Sequence, residues 1–301
     1  FGQKERTIAF YNVENLFDTL NTPNKNDLEF LPNGKKNWDT QKYWTKIEHI
    51  NQVVDALESP VIIGLCEVEN ENVVWDIINH GSLSGTHAVV HEESLDQRGI
   101  DNAIVYDSSV LTLLEKGMLR FDIPGERPTR DVLWARFTKR GKSFYVMVNH
   151  WPSRYGGAKE SEPKLMVAAT NARLFIDSLK QQNPKVRIIF MGDLNDHPDN
   201  KAPQLIQEEL HPMITALSGA YSGTHNYRGE WGILDHIMIT SSFLKRRNVR
   251  VVKESGKIHS FNFLIGEYRG NKVPARTYGG KKYLKGYSDH LPVSIKIRLK
   301  Y

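Results

Sequence analysis

The sequence predicts an α/β protein, with two packed mixed β-sheets flanked by helices. Three observations carry that expectation. Short apolar runs alternate with helical segments along the chain. Several runs follow one another closely enough to pair as hairpins, which argues against a purely parallel, doubly wound sheet. No internal repeat and no Pro/Gly/Ser-rich linker divides the 301 residues, so a single domain over 1–301 is expected.

The elements follow in chain order. Residues 7–12 and 61–66 are apolar runs of strand length. Between them Tyr43, Ile47, Ile50, Val54 and Leu57 recur at helical spacing, after a cap at Asp39 or Thr40. A second helix is expected over 72–80, stopped by Gly81, a residue able to take the left-handed conformation at a helix end. Strands are expected at 88–92, 102–106, 110–114, 132–138 and 143–149. Leu165, Ala169, Ala172, Phe175, Ile176 and Leu179 mark one face of a long helix. Further strands are expected at 186–191, 234–240, 249–252 and 291–299. The stretch 253–288, rich in Gly, Tyr and Lys, reads as long loops, which are usually functional or mobile. Within it Phe261, Phe263, Leu264 and Ile265 are expected to form a buried strand rather than an exposed apolar hairpin.

Composition narrows the class. Hydrophobic residues at 40% and charged residues at 25% exclude a disordered, collagenous or coiled-coil chain. No apolar run approaches the roughly 20 residues of a membrane span, so no stable membrane insertion is expected. The single cysteine, Cys66, excludes an intrachain disulfide and a cysteine-built zinc site, and reads as a small buried hydrophobe. A net charge of +5 suits a polyanionic partner without establishing one.

The informative polar residues stand where apolar runs stop. Asn12, Glu67, Asn149-His150 and Asp193-Leu194-Asn195 each follow one. Asp235-His236 begins another, and Asp289-His290 precedes the last. Strand ends can collect side chains from distant positions into one rigid site. Carboxylates and amides without thiols suit a hard cation such as Mg²⁺ or Mn²⁺. Imidazole, amide and guanidinium groups around it, including Arg130, suit a phosphoryl oxyanion. The residues alone therefore point to metal-assisted hydrolysis of a phosphate ester.

Six segments carry a family resemblance: Tyr-Asn-Val-Glu-Asn-Leu-Phe-Asp (11–18), Gly-Leu-Cys-Glu-Val-Glu-Asn (64–70), Arg-Gly-Ile-Asp-Asn-Ala-Ile-Val-Tyr (98–106), Asn-His-Trp-Pro-Ser-Arg (149–154), Gly-Asp-Leu-Asn-Asp-His-Pro (192–198) and Gly-Tyr-Ser-Asp-His-Leu-Pro (286–292). Together they resemble the endonuclease/exonuclease/phosphatase superfamily, in order and over nearly the whole chain. The pattern looks closest to secreted bacterial nuclease-like members. The resemblance implies a four-layer α/β sandwich with two central mixed sheets.

It also implies roles. Glu67 resembles the principal metal-binding glutamate and Asp289 the second metal-side carboxylate. Asn12 resembles the asparagine beside metal and phosphate. Asp193 and Asn195 resemble the pair that orients water and holds phosphate. His290 resembles the histidine beside the scissile phosphate, oriented by Asp235. His150 resembles a second histidine, with Asp101 as its carboxylate partner, and Arg130 a phosphate-contacting arginine. Second-layer or capping roles are expected for Glu14, Glu69 and His197. Tyr11 replaces a tryptophan common among relatives, and the Pro-Ala-Trp-Cys-Asp-Arg run of inositol phosphatases is absent.

The expected function is thus divalent-metal-dependent phosphodiester hydrolysis of nuclease type, on a phosphoester substrate, foremost nucleic acid, by a monomer. A sphingomyelinase-like or phosphomonoesterase activity and a catalytically silent binding module are the alternatives. With nucleic acid as substrate, Arg130 and Lys272, Lys281, Lys282 and Lys285 are expected to meet its phosphates, and Tyr278, Tyr283 and Tyr287 are candidate contacts. Family habit implies export to the periplasm or beyond the cell. The sequence opens on Phe1 rather than Met, so removal of a preceding segment is expected.

Overall fold

The computed structural model describes residues 4–245 and 249–299. Two mixed sheets lie at its centre. The first runs in the order Val249–Val251, Val293–Leu299, Lys4–Leu16, Ile62–Val68, Asp101–Asp107, His87–His91, with Lys257–Ile258 also paired to Val293–Leu299. The second runs Thr112–Leu119, Val132–Lys139, Lys142–His150, Ile188–Asp193, Asp235–Ile239, His211–Pro212. Each sheet has one parallel pair at its centre, Lys4–Leu16 with Ile62–Val68 and Lys142–His150 with Ile188–Asp193. The remaining neighbours are antiparallel, as the closely spaced apolar runs require.

Strand alternation builds the layers. In Ile188–Asp193, Ile189 and Met191 enter the core between the sheets, while Ile188 and Phe190 face a second core under the helices. Each such side chain stabilises the fold by roughly 1.5–3 kcal/mol through burial. The sheets pack tightly at Gly64, where a Cβ would lie 2.8 Å from both Met191 Sδ and Val148 Cγ2. Helices α1 (Thr40–Ala56) and α2 (Glu71–Asn79) cover the first sheet, while α3 (Ala158–Gln182) and α4 (Lys201–Gln207) cover the second. The result is the expected four-layer sandwich.

Local signals explain the helix limits. Asp39 caps α1 by accepting from Lys42 N at 2.8 Å, and Asn70 caps α2 by accepting from Val73 N at 3.1 Å. Gly81 is a different matter. Its backbone is not left-handed; it is needed because a Cβ there would fall 2.1 Å from Asn51 Oδ1 on α1.

Two expectations need correction. The 253–288 stretch is not plain loop: it holds Lys257–Ile258, the hairpin Ile265–Tyr268 with Asn271–Pro274, and the hairpin Tyr278–Gly279 with Lys282–Tyr283. Phe261, Phe263, Leu264 and Ile265 do not form a buried strand. A 3₁₀ turn over Asn262–Leu264 stacks Phe261 on Phe263 at 5.4 Å and buries Leu264, leaving the others half-buried. The run lacks polar alternation, so its periodicity could not distinguish strand from turn.

Candidate active site

Two bulges place the first site residues. Lys4–Leu16 and Ile62–Val68 pair in register to Asn12↔Cys66 and resume only at Leu16↔Val68. Against Asp101–Asp107, the second strand skips from Cys66↔Asn102 to Val68↔Asp101, so Glu67 is the unpaired residue. It sits at φ 63°, and Glu14 and Asn15 opposite are both at φ 52°. Left-handed backbone at a non-glycine residue costs about 1–2 kcal/mol. Here it turns the Glu67 carboxylate out of the sheet, where Oε2 accepts from Asn15 N at 2.9 Å.

The second sheet contributes a row. His150, Asp193 and Asp235 are direct partners across three neighbouring strands. Gly192 makes this possible, since a Cβ there would lie 2.2 Å from the Asn149 carbonyl oxygen. Asp193 Oδ1 accepts from Asn195 N at 2.9 Å, and Oδ2 accepts from Asn12 Nδ2 of the first sheet at 3.1 Å. Two imidazoles approach that same Oδ2: His150 Nε2 at 3.8 Å and His290 Nε2 at 3.7 Å. His150 Nε2 also stands 3.7 Å from Glu67 Oε1. The Nδ1 of His290 lies 2.7 Å from Asp235 Oδ2. Ser288 locks the last turn, its Oγ donating to Asn12 O and accepting from His290 N.

The structure thus brings together Asn12, Glu67, His150, Asp193, Asn195, Asp235 and His290. Asp289 borders this group from a second cluster, with His225 and His290. Among the described residues Glu67 and Asp289 do not fall into one His/Asp/Glu cluster.

Three expectations fare differently. Asp101 is not the partner of His150: Oδ1 accepts from Ser94 N, Oδ2 lies 3.3 Å from His91 Nε2, and His150 Nδ1 has no hydrogen-bond partner. The Asp101 carboxylate is instead held beside the neighbouring edge strand by Ser94 N and His91. Arg130 is not a free phosphate donor, for its two Nη atoms donate to Asp96 Oδ2 at 3.1 Å and Trp151 O at 2.8 Å. Asn195 Nδ2 donates to the same Trp151 carbonyl at 3.0 Å, so Arg130 braces the Asp193–Asn195 turn. Tyr278 and Tyr287 are likewise committed, their hydroxyls donating to Lys36 O and Gln52 Oε1. Tyr283 is half-buried against Tyr278 and Lys42. Lys272, Lys281, Lys282 and Lys285 are exposed.

Other residues come from places the strand-end pattern does not mark. Arg276 Nη2 donates to Asp289 Oδ2 at 2.8 Å, with Nε 3.6 Å from Glu14 Oε1. Glu14 also accepts from Thr277 N at 2.6 Å. Lys46, buried on α1, donates to Thr277 Oγ1 and the Tyr287 carbonyl. Its signal was available: position 46 shares a helix face with Tyr43 and Ile50, where an unpartnered lysine would be unfavourable. Glu69 holds the chain after the first strand, accepting from Asp18 N and Thr22 Oγ1.

Electrostatics separates the two histidines. Burial pushes His290 toward neutrality, but Asp235 and Asp193 outweigh it and hold its pKa well above 6.5. Burial, reinforced by Arg130, Arg98 and His290, holds His150 well below 6.5. Burial raises Asp193 to about 7, with Asp235 adding to the rise and His290 opposing it. Burial would raise Asp289 too, but His290, Arg276 and His225 hold it below the usual carboxylate range. Burial pushes the Cys66 thiol up, which leaves it an inert hydrophobe.

The donor set suits a hard divalent cation. Glu67 keeps Oε1 beyond hydrogen-bond range of His150, and the carboxylates of Glu14, Glu67 and Asp289 all act on the one buried ammonium of Lys46. Oxygen-rich, anionic and free of thiolate, such a site fits Mg²⁺ or Mn²⁺ better than a soft metal.

Sandwich and strand-end site together define a hydrolase of phosphate esters, and the chain belongs to the Endonuclease/Exonuclease/phosphatase family, whose model matches residues 7–299. Similar solved structures include an endonuclease/exonuclease/phosphatase family protein from Bacteroides thetaiotaomicron, at TM-score 0.64 and 15% identity over 100% of this chain and 97% of that one. The Bacteroides thetaiotaomicron mannosyl-6-phosphatase Bt3783 follows at 0.62 and 16%, over 97% and 99%. D. rerio TDP2, solved with a single-strand DNA product, matches at 0.61 and 16%, over 97% and 98%. No curated protein matches the sequence. Among the described residues no helix is long and apolar enough to cross a membrane.

Proposed function

We propose that the chain is a divalent-metal-dependent phosphodiesterase of nuclease type. The observation that carries the proposal is the convergence on Asp193 Oδ2 of two histidines that differ in charge, cationic His290 at 3.7 Å and neutral His150 at 3.8 Å. A phosphate bridging that space would meet a cationic donor from His290 and a neutral one from His150. Beside it a groove of about 590 Å³ runs past Arg98, Arg127, Arg130, Tyr155 and Lys164. Arg127 and Lys164, which are not tied to the Asp96 that holds Arg98 and Arg130, and the exposed Tyr155 ring suit the chain flanking a scissile diester. A TDP2 structure holding single-strand DNA product on the same fold supports this reading.

Glu67 and Asp289 would hold the cation, with Asn12 positioned beside them. When bound, the cation supplies Lewis-acid polarisation of a nonbridging phosphate oxygen. Asp193, its oxygens fixed by Asn195 N and Asn12 Nδ2 and its pKa pushed up to about 7, accepts a proton from the attacking water. His290 donates from Nε2 toward the oxygen that gains charge, while Asp235 fixes its Nδ1. His150, with Nδ1 unpartnered and Nε2 facing two carboxylates, carries its proton on Nε2 and orients phosphate without adding charge.

The test is a product-release panel of single- and double-stranded DNA and RNA, sphingomyelin, sugar and inositol phosphates and a chromogenic bis-ester. Diester cleavage that stops in chelator, resumes with Mg²⁺ or Mn²⁺ and weakens steeply with salt is expected. Full activity in excess chelator, or release from monoesters alone, overturns the proposal.

A further inference from the structure

One polar cluster takes no part in this chemistry. His91 ends the edge strand of the first sheet, Asp101 opens its neighbour, and Glu93 lies in the loop joining them. One ligand-capable atom from each lies within 4.8 Å of the others. His91 and Asp101 are buried, at 6% and 0% exposure, whereas Glu93 reaches solvent. His91 Nε2 and Asp101 Oδ2 approach to 3.3 Å, yet neither makes a hydrogen bond. Their ion pair leaves both buried atoms without a hydrogen bond, a need that a bound cation beside Glu93 would meet.

We propose that His91, Glu93 and Asp101 form a second divalent-cation site, one strand away from Glu67. One imidazole and two carboxylates favour Zn²⁺ or Mn²⁺ over Mg²⁺, with the remaining positions taken by water. Glu93 on the exposed side gives the ion its way in.

The ion would clamp the base of a loop that reaches the active site. Asp101 Oδ1 accepts from Ser94 N, Lys25 Nζ donates to Ser94 O and Asp96 O, and Asp96 accepts from Arg130. Closing the loop at Glu93 fixes Asp96, and through it the arginine that braces Trp151 and Asn195.

The experiment titrates the full chain with MnCl₂ or ZnCl₂ alone, without substrate, and measures bound metal by equilibrium dialysis. Wild type is expected to bind one equivalent more than Glu93→Gln, a change at an exposed residue that leaves the fold intact. In a Glu67→Gln background that equivalent should persist, and bound Mn²⁺ should show imidazole-nitrogen coupling in pulsed EPR that His91→Gln removes. Persistence there separates this site from the catalytic one, whatever becomes of the proposed function. Equal stoichiometry in wild type and Glu93→Gln, or no nitrogen coupling in the Glu67→Gln background, overturns the proposal and leaves a plain His91–Asp101 contact.

Discussion

His290 and His150 are buried to the same degree, at 6% and 4% exposure, and their Nε2 atoms stand equally far from one carboxylate oxygen. They nevertheless differ in charge. His290 has Asp235 on its other ring nitrogen, whereas His150 has nothing there and faces Arg130 and Arg98 across the site. Burial alone would neutralise both, so the carboxylate behind the ring decides which one stays cationic. The site is therefore polarised, with a charged donor on one side of Asp193 and a neutral one on the other.

The largest effect should come from removing the charged side. His290→Ala is expected to lower turnover about 10²–10³-fold, the loss of one strong transition-state donor. Asp235→Asn should cost roughly 10–100-fold, the usual range when the group orienting a working histidine is lost. It should also bring the loss of activity at high pH to a lower pH, because the imidazolium is no longer held. The double variant should be little worse than His290→Ala, since the two act as a unit. Fully multiplicative losses at saturating metal would show that they work independently.

Next in size is a contrast in pH-dependent stability. The folded-state pKa of His290 is raised, so its contribution is complete below about 6.5, the unfolded value, and is lost as pH climbs through the raised value. For His150 the folded value is depressed. Its penalty is absent above about 6.5 and grows as pH falls toward the depressed value. Urea unfolding across pH should therefore show His290→Gln losing its disadvantage at high pH. His150→Gln should lose its disadvantage at low pH. Parallel profiles for the two variants would erase the distinction.

Most of this asymmetry was legible one side at a time. Asp235, His290, Asp193 and Glu67 stand where apolar runs begin or end, a pattern that the strand register turns into proximity. What the sequence could not supply was the bulge at Glu67, which depends on two pairings at once, and the facing of Asp101. A carboxylate at a strand start can point to either neighbour, and here it points to His91. Arg276 and Lys46 were missed for another reason. They reach the site from a hairpin-bearing loop and a helix, where a cation ordinarily reads as solvated surface. Arg130 was found, but its partners Asp96 and Trp151 make it a brace.

A smaller effect is expected on the neutral side. His150→Asn removes an uncharged donor, worth about 1–2 kcal/mol, so turnover should fall roughly 5–30-fold, clearly less than for His290→Ala. Single-turnover rates on a good diester measure both. Equal losses would mean that His150 also carries charge during the reaction.

The smallest expected effect isolates the cations that reinforce burial in keeping His150 neutral. Arg130 is first among them, but its replacement would also free Asp96 and the Trp151 carbonyl. Arg98 is the cleaner probe. Its side chain is 50% exposed, its Nε lies 3.5 Å from Asp96, and it faces His150 only at a distance. Solvent and salt screen such a charge, so Arg98→Gln should raise the titration midpoint of His150 only slightly. The shift should shrink further at high salt, and His290 should not move. NMR of the ring carbons, followed against pH, reads both histidines in one experiment. A midpoint for His150 that rises to the ordinary histidine range would mean that the neighbouring cations, not burial, hold the ring neutral.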